Sequence, residues 1–355
     1  MRLTIIGLTI TSSWGNGHAT VFRSLVRALT ARGHHVTFLE HDKPWYANHR
    51  DLPEPPWGTT ALYDSVEQLQ QRHAPDVRDA DAVIVGSYVP EGVAVGDWAL
   101  RTARGPVCFY DIDTPVTLAA LERGACEYLA PELIQRYRVY LSFTGGPILD
   151  RLKSQYGSPA VRPLYCCFDP DGYRPDPTAE PTCDLSYMGT YSDDRQPRVN
   201  SLLLEPARRW DAGRFVVAGP QYPEHIQWPA NVQRREHVPP ADHRAFYNAS
   251  RFTLNVTRDD MIAAGYAPSV RLFEAAACGT PIISDRWDGI ETFFRPGEQI
   301  FLVDEPDQVL QLLRDLPEAD RTAVGQAARD VAFAHHTADQ RAGDLERHLA
   351  EAGVS

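Results

Sequence analysis

At 355 residues the chain exceeds what one ordinary hydrophobic core serves, and its length points to two domains. Hydrophobic residues make up 43% and charged residues 23%, a globular balance, and no apolar run approaches the roughly 18 residues of a bilayer span. The formal charge of −12 argues against general binding to nucleic-acid phosphates, although a local basic groove is compatible with it.

The opening MRLTIIGLTI has no small-residue cleavage site and runs directly into patterned sequence. It reads as a first strand rather than a signal peptide. Residues 18–32 follow as an amphipathic helix stopped by Gly33, then 36–40 as a second strand. Short apolar runs at 81–85, 107–110, 138–143 and 161–167 alternate with helical stretches at 91–103 and 147–156. Such alternation implies a parallel sheet with helices on both faces. From 168 to 182 proline, aspartate and glycine crowd together and the apolar period disappears, the mark of a linker.

The alternation then restarts. Strands are expected at 184–188, 214–218, 232–238, 252–256, 282–284 and 299–303, and helices at 196–210, 242–250, 268–278 and 306–316. Asp288 and Glu291 have capping-box spacing, and 321–352 is almost wholly helix-forming. The predicted domains are therefore 1–168, a linker at 169–182, 183–320, and a helical tail at 321–355. The fold class is α/β, with two Rossmann-like, doubly wound parallel sheets.

The stretch GYAPSVRLFEAAACGTPIISDRWD, residues 265–288, carries the clearest chemistry. Pro268 and Ser269 start a helix that Gly279 stops. A helix N-terminus offers free N–H groups to an anion. Arg271 adds a fork for phosphate, and Glu274, one turn on, can accept two ribose hydroxyls. Arg258, just after the 252–256 strand, is placed to face the same phosphates. A nucleoside diphosphate is the expected ligand.

In the first half, Trp14, Asn16 and His18 lie in the turn between the first strand and first helix. A histidine there can work as a base near neutral pH, or can cap the helix. Asp111 and Asp113 superficially match a metal-binding D-x-D. The reading favoured here is no metal, with Asp113 as an alternative base or acceptor ligand, or as a helix N-cap. Trp45, Tyr46 and Trp57 could stack on sugar rings, though aromatic residues more often pack in cores. The six cysteines show no C-x-x-C metal spacing, and Cys166-Cys167 is a vicinal pair unsuited to an ordinary disulfide. A reducing, cytoplasmic setting is expected.

Five ordered motifs then match a family: SSWGNGHATVFRSLVRALTARGHHVTFLEHDKPWY, FYDIDTPVTL, LSYMGTYSDDRQ, EHVPPADHRAFYNAS and GYAPSVRLFEAAACGTPIISDRWDGIETFF. With them the chain resembles nucleotide-sugar glycosyltransferases of the GT-B fold, in the bacterial group related to the spore-maturation protein CgeB. The resemblance implies two Rossmann-like domains facing across a cleft, the second holding a nucleotide-diphosphate sugar as co-substrate and the first an acceptor. The last helix would cross back to the first domain, and domain closure about the linker would exclude water. No further cofactor is implied. It places Gly189, Thr190, Tyr191, Arg195, Ser269, Val270 and Arg271 near the diphosphate, Glu274 at the ribose, and His237, Val238 and Gly219 near the base. Trp14, Asn16 and Asp111 fall on the acceptor side, with His18 or Asp113 as catalytic groups.

One position departs from the family. Tyr266 stands where the related retaining enzymes carry the first glutamate of E-x7-E, and Asp259 or Asp260 could substitute. The stereochemical outcome therefore stays open, as does the acceptor: a glycan, a lipid-linked glycan, a protein, a metabolite or a modified nucleobase. Competing readings are a nucleotide-sugar-binding protein without transfer, a sugar-nucleotide epimerase, and a dinucleotide-dependent oxidoreductase. The last would use Gly15, Gly17 and Glu40, but Thr20 replaces its third glycine.

Overall fold

The computed structural model describes residues 1–354. Contacts divide them into two compact units: Met1–Cys167 together with the chain from Ala338 onward, and Phe168–Thr337.

In the first unit β1 (Arg2–Gly7), β2 (His35–His41), β3 (Thr59–Tyr63), β4 (Ala82–Gly86), β5 (Val107–Asp111), β6 (Val139–Ser142) and β7 (Val161–Pro163) form one sheet. Its order is β3-β2-β1-β4-β5-β6-β7, and every neighbouring pair is parallel. β4 and β5 are buried at every residue because helices cover both faces, which is why they read as unbroken apolar runs. The last helix, Ala338–Glu351, lies in this unit against the helix His18–Ala31. Arg32 fixes that contact, reaching Glu346 at 2.9 and 2.7 Å and Asp339 at 2.8 Å.

The second unit holds β8 (Cys183–Met188), β9 (Phe215–Ala218), β10 (Val232–Arg235), β11 (Ser250–Asn255), β12 (Ile282–Ser284) and β13 (Phe301–Leu302). Their order is β10-β9-β8-β11-β12-β13, again parallel throughout. Its core is built by Leu185, Tyr187, Phe215, Phe252, Leu254 and Ile283 with Leu202, Leu203 and Leu204 from the helix above. The helix Glu318–His335 also belongs here. It approaches closely because Gly325 has no side chain: a Cβ there would sit 2.3 Å from the Gly279 carbonyl.

Several local expectations change. The stretch 168–182 packs onto the second unit, with Phe168 and Tyr173 buried and Phe168 bridged to Thr337. Proline and glycine shape that segment, but its two aromatic side chains bury it. The expected helix 196–210 is helical through Arg209 but opens into a π turn at Asn200–Leu204. Pro206 lacks the N–H that would bond back to Leu202, and the wider turn accommodates it. Asp288 does not build a capping box. Gly289, at φ 87°, caps a short 3-10 turn, Ile290–Thr292, instead. The reciprocal box forms at Glu305 and Gln308, ahead of Pro306–Asp315. β3 and the helices Val66–Arg78 and Asp259–Ala264 were not anticipated, and Thr114–Glu122 was foreseen only as the helix that Asp113 could cap. β3 follows a proline-rich run, and the first of those helices contains Pro75.

Both sheets reverse their strand order once, between β1 and β4 and between β8 and β11. In open parallel sheets ligands bind beyond the carboxyl ends of the strands at such points.

Candidate active site

At the β8–β11 reversal the helix Val270–Ala277 begins as expected, with the Ser269 hydroxyl accepting from the Arg271 backbone N–H at 3.3 Å. Arg271 then folds back over the strand ends. Its Nε donates to the Met188 carbonyl, and Nη1 donates to Asn255 Oδ1 at 2.9 Å and to Ser269 Oγ at 3.4 Å. The guanidinium lies 5.2 Å from the Tyr187 ring centre. A fixed cation and a helix N-terminus thus meet at one place, which suits a diphosphate.

Gly189 follows β8 and must be a glycine: a Cβ would lie 2.6 Å from the Tyr187 hydroxyl and 3.0 Å from Arg271 Nη2. Gly219, at φ 143°, presses on the same backbone, with its hypothetical Cβ 2.0 Å from the Gly189 carbonyl oxygen. These two glycines bring bare backbone up to the arginine. Tyr191 N–H donates to the Pro220 carbonyl at 3.0 Å, which ties the two loops together. Thr190 and Arg195 join in the same loop, the arginine donating to the threonine carbonyl. Arg258 is turned toward Asp194, 3.6 Å away. Val238 is buried, and its carbonyl faces His243 Nε2 at 3.1 Å, while the preceding His237 is half-buried.

Glu274 is only 3% exposed. Its Oε1 accepts from the Tyr173 hydroxyl at 2.8 Å and its Oε2 from the Tyr247 hydroxyl at 3.3 Å, with His243 Nδ1 at 3.6 Å. A solvent-facing helical charge is thereby excluded, and the carboxylate already holds two hydroxyl groups of its own unit. Tyr266 takes a left-handed conformation, φ 51°, and donates its backbone N–H to the Asp288 carbonyl at 2.6 Å. Its ring lies over Gly289, where a Cβ would be 2.4 Å from the ring. Asp259, one possible substitute for the absent carboxylate, is paired with Arg198 at 2.6 Å. Sequence reading missed Asp285. It directly follows β12, accepts from the Thr257 N–H and hydroxyl at 2.8 Å each, and burial raises its pKa. Its signal was an aspartate closing an apolar run.

At the β1–β4 reversal a loop anchored by buried charge leads into the first helix. Glu40 is fully buried and accepts from Thr9 Oγ1 (3.0 Å), Ile10 N–H (2.7 Å), Thr11 N–H (3.0 Å) and Thr11 Oγ1 (2.6 Å). Spent on this loop, Glu40 has no role as the ribose ligand of a dinucleotide site. Arg23 grips Asp51 in a fork at 2.8 and 2.9 Å, and Asp51 also accepts from Ser13 N–H at 2.8 Å. Asn16 serves the helix, its Oδ1 accepting from Ala19 N–H at 3.1 Å. Trp14 stacks on His49 at 4.3 Å. Of the three aromatic candidates beyond it, Trp45 is exposed, while Tyr46 and Trp57 are half-buried.

His18 is 9% exposed, and its Nδ1 has no hydrogen-bond partner among the described residues. Burial lowers its pKa, and the neighbouring Asp113 charge opposes that shift only in part. Asp113 sits at the start of Thr114–Glu122, but its carboxylate makes no cap. It accepts instead from the Tyr88 hydroxyl at 3.1 Å, and the Tyr88 ring lies edge-on to His18 at 5.2 Å. Tyr88 was absent from the sequence reading. Asp111 does not line this site. It is fully buried and engaged by the Tyr140 and Thr117 hydroxyls and by Asp113 N–H, with burial pushing its pKa up to about 6. The D-x-D carboxylates therefore serve different tasks. Among the described residues no three His, Cys, Asp or Glu side chains cluster as metal ligands. All six cysteines are free thiols, and no described helix is long and apolar enough to cross a membrane.

Residues 195–347, less than half of the chain, match the family model described as glycosyl transferase-like. No curated protein matches the sequence. Among solved structures the chain is similar to a sucrose-phosphate synthase from Thermosynechococcus elongatus, at 16% identity and TM-score 0.70, covering 99% of this chain and 100% of that one. It is also similar to the Anabaena protein HepE in complex with UDP and glucose, at 12% identity and TM-score 0.71, covering 98% and 99%. An alpha-glucosyltransferase in complex with UDP-glucose and DNA containing an abasic site is similar at 15% identity and TM-score 0.70, covering 99% of both chains. The fold is accordingly the α/β GT-B architecture, carrying a glycosyl transferase-like region in its second half.

Proposed function

We propose that the protein transfers a glycosyl group from a nucleoside-diphosphate sugar to an acceptor hydroxyl, without a metal ion. The observation that carries this reading is the convergence of Arg271, the Val270–Ala277 N-terminus and the bare Gly189 backbone at the β8–β11 reversal. The acceptor oxygen bonds to the anomeric carbon while the bond from that carbon to the β-phosphate oxygen breaks. The electron pair leaves with the phosphate, and Arg271 with the helix N-terminus stabilises the charge that develops. In an inverting reaction His18 takes the hydroxyl proton beside Asp113. In a retaining one the leaving phosphate takes it, and both residues orient the acceptor. The second unit is the donor side and the first the acceptor side, in a cytoplasmic setting that the free thiols support.

Similar structures are complexes with UDP or UDP-glucose, so UDP-glucose is the first donor to test. One of these complexes also holds DNA, so a duplex belongs in the acceptor panel beside glycans and lipid-linked glycans. The likeness to the CgeB group belongs to this proposal and leaves the acceptor open among a glycan, a lipid-linked glycan, a protein, a metabolite and a modified nucleobase. Thermal shift against nucleoside diphosphates and their sugars, followed by UDP release with the acceptor panel, tests the assignment. No stabilisation by any of them would overturn it. Undiminished turnover in EDTA is expected. A second reading, binding without transfer, draws on Glu274, whose carboxylate is occupied by Tyr173 and Tyr247. Donor binding with no UDP release would select it.

A further inference from the structure

Tyr88 follows β4 at the strand-order reversal of the first sheet, with φ at 61°. That left-handed conformation favours glycine or asparagine, and a bulky residue there is uncommon. A tyrosine held in it has its ring and hydroxyl aimed by the backbone. The hydroxyl donates to Asp113 Oδ2 at 3.1 Å, and the ring meets His18 edge-on at 5.2 Å. The other side of the ring packs on Tyr128 at 4.6 Å, whose hydroxyl shares a 2.8 Å hydrogen bond with Thr117. Thr117 in turn donates to Asp111 at 2.8 Å, and Asp111 accepts from Asp113 N–H at 3.2 Å. A closed circuit of buried and half-buried groups therefore holds both Tyr88 and the backbone that carries Asp113.

We propose that Tyr88 is the positioning residue of the acceptor-activating pair: its hydroxyl fixes the Asp113 carboxylate while its ring edge seats the His18 imidazole, holding the two in register for proton transfer. The proposal rests on the reading of His18 and Asp113 as the groups that handle the acceptor proton. The Tyr88 hydroxyl donates to Asp113 Oδ2, and that bond restrains the carboxylate beside the imidazole. The ring helps to exclude water from His18, in line with the downward pKa shift that burial imposes. The groups bearing on His18 are Asp113, from the start of Thr114–Glu122, and Tyr88, from the end of β4.

The test compares Tyr88→Phe, which keeps the ring, with Tyr88→Asn, which suits the backbone but removes the ring. The His18 ring is titrated by NMR on the full chain, and UDP-glucose affinity and transfer are measured across pH. Tyr88→Phe is expected to leave UDP-glucose affinity unchanged, to lower kcat about tenfold, and to move the His18 titration upward as Asp113 is released. Tyr88→Asn should move that titration further by admitting water. A His18 titration in Tyr88→Phe that superimposes on the wild type overturns the proposal, as does a kcat–pH profile of unchanged shape. The titration needs no substrate, so failure of the transferase reading would show separately, as absence of UDP-glucose binding in the wild type.

Discussion

The two strand-order reversals use similar backbone geometry for opposite electrostatic ends. Beyond β8 and β11, polar side chains are paired: Asn255 with Arg271 and Ser284, Thr257 with Asp285, and Glu274 with two tyrosines. Beyond β1 and β4 the surrounding loop is equally well tied, by Glu40 and by Arg23 with Asp51. Yet there the central imidazole keeps one nitrogen without a hydrogen-bond partner among the described residues. On the proposed reading the difference follows from what each site does. A diphosphate asks for permanent charge, which guanidinium supplies at any working pH, so the network around it can be closed. Proton transfer asks for a group able to change charge, and burial beside a carboxylate tunes such a group.

The largest test of this contrast is His18→Ala. Transfer should fall by a factor on the order of 10² to 10⁴ while donor affinity holds, measured as kcat alongside UDP-glucose titration. Equal losses in both would erase the distinction between the two ends. Arg271→Ala should do the reverse first, weakening donor binding by about 100-fold. Because it also strands Asn255 and the Met188 carbonyl, stability should fall by about 2–3 kcal/mol, so binding must be compared at a temperature where the variant is folded. Next, Asp111 binds a proton more tightly in the folded chain than its ordinary value of 3.8 allows, with a pKa near about 6. Between those values the native state holds more protons than the unfolded one, so stability declines as pH rises through the window. Asp111→Asn should remove that decline, about 3 kcal/mol of it, in denaturation curves at pH 4 and pH 7. The smallest effect is expected from Asn16→Ala, about 1 kcal/mol for a lost helix cap, with His18 titration unchanged. A shift there would mean that Asn16 shapes the site as well as the helix.

The sequence by itself determined the elements with local causes. Strand–helix alternation follows from apolar period, and the Val270–Ala277 helix starts at Ser269 because that hydroxyl can cap it. Gly189 and Gly219 entered through the resemblance, and the fold supplies their reason: a Cβ on Gly219 would meet the Gly189 carbonyl. Tertiary structure alone decided the fate of the charges. Asp111 and Asp113 are two residues apart, yet Asp111 closes β5 and points into the core toward Tyr140, while Asp113 lies past the strand end, where the chain turns into Thr114–Glu122, and meets Tyr88. Glu40 and Glu274 looked like ribose ligands, and each is held by hydroxyls distant in the chain, 29 residues away for Thr11 and 101 for Tyr173. The site at His18 depends on Tyr88 and Asp113 meeting it across β1, β4 and β5, and no local period encodes that strand order.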